Sequence, residues 1–95
     1  MNMSTVVMDA DFISDLKGEL HRARQKFPSN NLLFAALVEE VGELSKAMLE
    51  WRAGDTTEQE IWNEAVQVAA MAMRVAVEGD ASFTSMPYIK MEDTP

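Results

Sequence analysis

Between Ala65 and Val77 the chain is apolar on nearly every side of a helix, and this stretch limits the folds open to it. Laid out at about 100° per residue, only a narrow polar strip of Glu60, Asn63, Gln67, Arg74 and Glu78 interrupts the surface. A helix of that kind must be covered on more than one side. Three helices from one chain of 95 residues do not readily supply such cover, in a size class that buries only roughly 60 to 65% of its unfolded surface. The expectation is an all-α fold, an antiparallel helical hairpin plus a preceding helix. Oligomerisation then completes a four-helix-type bundle, as a homodimer or a dimer of dimers.

The boundaries are written in local signals. Phe12, Ile13, Leu16, Leu20 and Ala23 recur at helical spacing and predict a first helix from about Asp9 to Lys26. Pro28 ends it by disfavouring helical geometry at Phe27. Asn30 or Asn31 is the expected cap of a second helix that runs to about Ala53 and stops at Gly54. Thr57 and Glu60 have capping-box spacing, so a third helix is predicted from there to Gly79, after the hinge Gly54, Asp55, Thr56. The whole of residues 1–95 reads as one domain, with a core over about 9–79 and a tail over 80–95. In that tail Phe83, Met86 and Tyr88 could pack on a neighbour.

Charge narrows the range of partners. Eight Lys and Arg against sixteen Asp and Glu leave a net charge of -8, a field that repels nucleic acid and anionic membranes. With no Cys and a single His, the chain can build neither a thiolate nor a multi-histidine metal centre. The N-terminus lacks a basic region ahead of an apolar run, and no segment approaches the ~18 apolar residues of a membrane span, which together predict a cytoplasmic protein.

Against this background the acids of the second helix stand out. Its apolar arc runs through Leu33, Phe34, Ala36, Leu37, Val41, Leu44, Ala47, Met48 and Trp51; Glu40 falls within the arc and Glu43 at its edge, while Glu39 turns to the polar side with Lys46 and Glu50. A buried carboxylate without a partner neutralises, pairs or binds a cation. Glu64 is embedded in the third helix beside Val68, Met71 and Val75, with Gln67 one turn on. Folding the hairpin at Gly54 lets Glu40, Glu43, Glu64 and Gln67 converge, an all-oxygen donor set that suits Mg²⁺.

The segments Glu40-Val41-Gly42-Glu43 and Glu64-Ala65-Val66-Gln67, set either side of a hinge, resemble the ExxE and ExxD pair of the MazG-type nucleotide pyrophosphohydrolases of the all-α NTP pyrophosphatase superfamily. The similarity extends over roughly residues 28–79. It implies hydrolysis of a nucleoside or deoxynucleoside triphosphate to the monophosphate and pyrophosphate, dependent on Mg²⁺, with Mn²⁺ as a substitute. It further implies that Glu40, Glu43 and Glu64 ligate the metal and handle the attacking water, and that the enzyme cleans the nucleotide pool. Gln67 stands where the family has Asp. Its amide is either a neutral member of the ligand shell or part of the polar strip, and a non-catalytic metal- or nucleotide-binding oligomer is the alternative to an enzyme.

Other residues carry two readings. Gly42 is expected to permit a close helix approach that offsets its cost of about 1 kcal/mol in a helix. The run His21-Arg22-Ala23-Arg24-Gln25-Lys26 is a solvated helix end favourable to the macrodipole or a phosphate contact. Trp51 and Trp62 flank the hinge, to pack there or to stack a base.

Overall fold

The computed structural model describes residues 3–83. Three helices follow in order, α1 (Met3–Lys26), α2 (Leu33–Arg52) and α3 (Glu58–Glu78). Helix α1 starts six residues before the predicted Asp9, because Met3 to Met8 contains no residue that stops a helix. Met86 and Tyr88 of the proposed tail contacts lie outside the described residues.

Both α1 and α2 pack on α3 and, among the described residues, not on each other. Two sides of α3 are thereby covered by helices of its own chain, with Val66, Ala70 and Arg74 forming the buried line, while Met73 and Val77 remain exposed. The hairpin is antiparallel, since the end of α3 meets the start of α2: Asp80 accepts hydrogen bonds from the backbone N–H groups of Leu32 (3.2 Å) and Phe34 (2.7 Å). Gly54 turns the chain with a φ of 84°, the left-handed region where glycine carries no steric penalty. Helix α1 runs parallel to α3. Trp62 donates its indole N–H to Asp15 at 2.8 Å and meets Phe12 edge to face at 5.2 Å, while further along Arg24 donates to Glu78 at 3.0 Å. Trp62 therefore joins α1 to α3 rather than packing at the hinge, and Trp51 remains exposed.

The caps differ from those the sequence suggested. Leu32, in a left-handed conformation (φ 63°), occupies the N-cap of α2 in place of Asn30 or Asn31, and it brings no side-chain acceptor. Asp80, distant in sequence, supplies that acceptor instead, because it is the tertiary fold that carries its carboxylate to the free N–H groups. Asn30 is used otherwise, donating to the carbonyl of Glu78 at 2.9 Å. Thr57 is the N-cap of α3 but makes no side-chain cap bond. Glu58 takes over, its carboxyl held below the usual range by its own backbone N–H and by the Trp51 side chain.

The apolar core is small: Leu20, Leu33, Ala47, Val66 and Ala70 are its buried members. The seam of α2 toward α3 runs through Leu33, Leu37, Glu40, Leu44 and Ala47, all buried or half-buried. About a quarter-turn away, Phe34, Val38, Val41, Met48 and Leu49 form a second apolar stripe that is exposed. Gly42 also faces outward, with nothing among the described residues within 4 Å of the place a Cβ would occupy, so none of the described helices approaches it closely.

Candidate functional site

Glu40 reaches the site because it replaces an apolar residue in the α2 seam, between Leu37 and Leu44, where the helical period points it at α3. Glu64, one turn before Val68 on α3, faces it. The two carboxyls lie close enough for each to act on the ionisation of the other. Burial pushes the Glu40 carboxyl up, and the negative charges of Glu64, Glu43 and Glu19 push it further. Burial also raises Glu64, with help from Glu43 and Glu60, while the hydrogen bond from Glu40 and the charge of Lys46 act the other way. Two acids brought together in a partly desolvated seam hold protons more tightly than free carboxyls do, because each charge disfavours the other.

Glu43 is exposed on α2. Its charge acts on both members of the pair without its carboxyl joining them. Among the described residues no group of three or more carboxylate or imidazole side chains stands close enough together to hold a metal ion. The hairpin thus brings Glu40 and Glu64 into contact and leaves Glu43 to the side. Gln67 is half-buried and lies in the floor of a cleft of about 660 Å³ that also contains Glu40. Glu39 is exposed at the same cleft.

Two residues of consequence escaped the sequence reading. Glu19 of α1 lines the cleft with Gln67, and its charge reaches Glu40. No spacing rule links it to α2, since it is placed there only by the packing of α1 on α3. Arg74 appears in the sequence as one member of a polar strip, yet it is 1% exposed. Its guanidinium donates to both oxygens of Glu78, at 2.8 and 2.9 Å, and to the carbonyl of Ser29 at 3.3 Å. Glu78 lies below the usual carboxylate range, chiefly through its hydrogen bond from Arg74 and further through Arg24. The i, i+4 spacing of Arg74 and Glu78 was a legible signal for the pair, though not for its burial. Arg74 is satisfied by these partners and fixes the Phe27–Asn30 turn beside the cleft.

No protein-family model matches this chain, and neither a characterised protein nor a solved structure matches it.

Proposed function

We propose that the chain is a Mg²⁺-dependent nucleoside triphosphate pyrophosphohydrolase, acting on an NTP or dNTP in the cytoplasm and clearing it from the nucleotide pool. One observation carries the reading: Glu40 and Glu64 stand together under the charge of Glu43, and Glu40 lines a cleft wide enough for a small ligand. Paired acids of this kind recur where a fold is shaped for chemistry rather than for its own stability. The oxygen donors of Glu40, Glu43, Glu64 and Gln67 match the preference of Mg²⁺, and Mn²⁺ accepts the same set. When bound, the ion polarises phosphoryl oxygens and lowers the pKa of its water.

The residues of the chain do the rest. Ionised Glu40 or Glu64 accepts a proton from the attacking water, whose oxygen bonds to the α-phosphorus as the bridging oxygen leaves with pyrophosphate. Glu43, exposed and without a bond to the other two, is free to turn toward the ion. No described helix is long and apolar enough to cross a membrane. Wild type should release pyrophosphate from at least one common nucleoside triphosphate with Mg²⁺, and Glu40→Gln or Glu64→Gln should reduce turnover by about 100-fold or more. Silence of the wild type across the common nucleotides with either ion would remove the enzyme. Gln67 supports a second reading, since a neutral amide in place of a carboxylate weakens cation binding. A chain that binds Mg²⁺ or nucleotide yet never turns over would be a non-catalytic helical module.

The working unit is proposed to be a homodimer, or a dimer of dimers, paired through the exposed stripe of Phe34, Val38, Val41, Met48 and Leu49 on α2. Two such stripes related by a two-fold axis would complete a four-helix bundle and enlarge a core that has five buried apolar residues among those described. Sedimentation at micromolar concentration should show a dimer or larger species, and Val41→Glu should return it to monomer. A wild type that sediments as a stable monomer would refute the pairing.

A further inference from the structure

The cleft has two walls of opposite charge. Glu39 and Glu40 stand on the α2 side, Gln67 lines it from α3, and the α1 side carries Arg22 and Lys26 with one acid, Glu19, so that its balance is positive. In a chain of net charge -8, cations facing an acidic pair across a cavity are an uncommon use of scarce basic residues. Arg24 and Arg74 of the same region are consumed by Glu78. Lys26 is not consumed: among the described residues no carboxylate lies within ion-pair distance of it, and its ammonium rests over the ring of Phe27 at 5.5 Å from the centroid. Arg22 is held by Glu19 of the preceding turn at 2.9 Å, with its own side chain 67% exposed. The Glu19 side chain is 15% exposed, so it is the guanidinium that faces solvent, where a second anion can reach it. Gly18 lets the guanidinium lie close to the α1 backbone, 3.4 Å from where a Cβ would be.

We propose that Arg22 and Lys26 bind the terminal phosphates of a polyphosphate ligand whose metal-bridged end is held by the acids across the cleft. This rests on the metal-dependent reading of the acidic pair. The wall charges fit a ligand that is anionic along its length and carries a divalent cation at one end. Such a ligand neutralises both sides at once, whereas a free anion would meet repulsion from Glu39 and Glu40 and a free cation repulsion from Arg22 and Lys26. Guanidinium and ammonium suit the phosphate end, because each offers several N–H donors with a full positive charge. The apolar residues at the same cleft, Phe27, Leu33, Ala36 and Met71, leave room for a base beside the phosphates.

Calorimetry with inorganic tripolyphosphate, in the presence and absence of Mg²⁺, tests this grip separately from the metal. Wild type should bind the Mg²⁺ complex, and Arg22→Gln/Lys26→Gln should weaken it by at least about 30-fold, two charge-assisted contacts being lost. Binding of Mg²⁺ alone should not weaken in that variant. Lys17→Gln/Arg52→Gln makes the same change in net charge outside the cleft and should stay close to wild type. Equal affinity in the cleft variant and wild type, or equal loss in the two double variants, would overturn the grip and leave the metal reading intact. Tripolyphosphate binding that needs no Mg²⁺ but still requires Arg22 and Lys26 would keep the grip and remove the metal. A wild type that binds neither probe would overturn both.

Discussion

Arg74→Ala is expected to cost about 3 kcal/mol of stability, measured by urea unfolding, and to leave a marginal domain largely unfolded. The guanidinium is the most completely buried large side chain, and it serves three acceptors, the two oxygens of Glu78 and the Ser29 carbonyl. Removing it leaves a cavity and a carbonyl with no donor, while Glu78 keeps Arg24 and part of its solvent. For that reason the expected loss sits at the low end of the range for broken buried pairs. Arg74→Met fills most of the volume without the charge and should lose less than alanine does. A loss below about 1 kcal/mol for Arg74→Ala would mean that the turn at Ser29 and the pair with Glu78 contribute nothing measurable.

Glu40→Gln should act in the opposite direction on the metal-free chain. The folded-state pKa values of Glu40 and Glu64 are raised above their unfolded values, so the folded state binds more protons than the unfolded one over that interval. Stability from this pair is then fully present below the unfolded carboxylate value of about 4.3 and declines as pH rises through the folded values. The glutamine variant cannot ionise at position 40. It should be more stable than wild type at pH 7, with the advantage vanishing near pH 4. Glu78 and Asp80 behave conversely: Arg74 lowers the first, and hydrogen bonds from Ser82 and from the N–H of Phe34 lower the second, so their contributions fade as pH falls below about 4. Comparing melts of the variant and wild type cancels that common acid loss. Under the proposed function the same substitution abolishes Mg²⁺ binding by calorimetry. A variant less stable than wild type at pH 7 would contradict the strained pair.

Some of the fold was readable from the chain because its causes are local. Helical periodicity gave three helices and no strand among the described residues, Pro28 ended the first, and Gly54 and Gly79 ended the others where a positive φ was needed. The same periodicity put Glu40 inside an apolar arc, which was enough to single it out before any contact was known. Glu43 was harder to place, because a residue at the edge of an arc is assigned by the partner helix, and here α3 leaves it exposed.

Other features depended on which helix packs where, and this the sequence does not state. A surface that is apolar all round says that α3 is covered, but not by whom; cover by α1 and α2 of the same chain and cover by another subunit give the same pattern. The cap of α2 came from Asp80, beyond the end of α3, although two asparagines stood at the helix start, because hydrogen bonding follows proximity in space. Arg74 stood in the polar strip of α3 and is buried, since an arginine can enter a core when its acceptors are brought to it. The residue types, their periods and their breaks thus determined three helices with acids embedded in two of them. The tertiary structure alone decided that Glu40 meets Glu64, that the charge of Glu19 reaches Glu40, and that Arg22 and Lys26 share a cleft with Glu40. Periodicity fixes a direction on one helix, whereas electrostatic pairing needs a second helix at a definite distance and rotation.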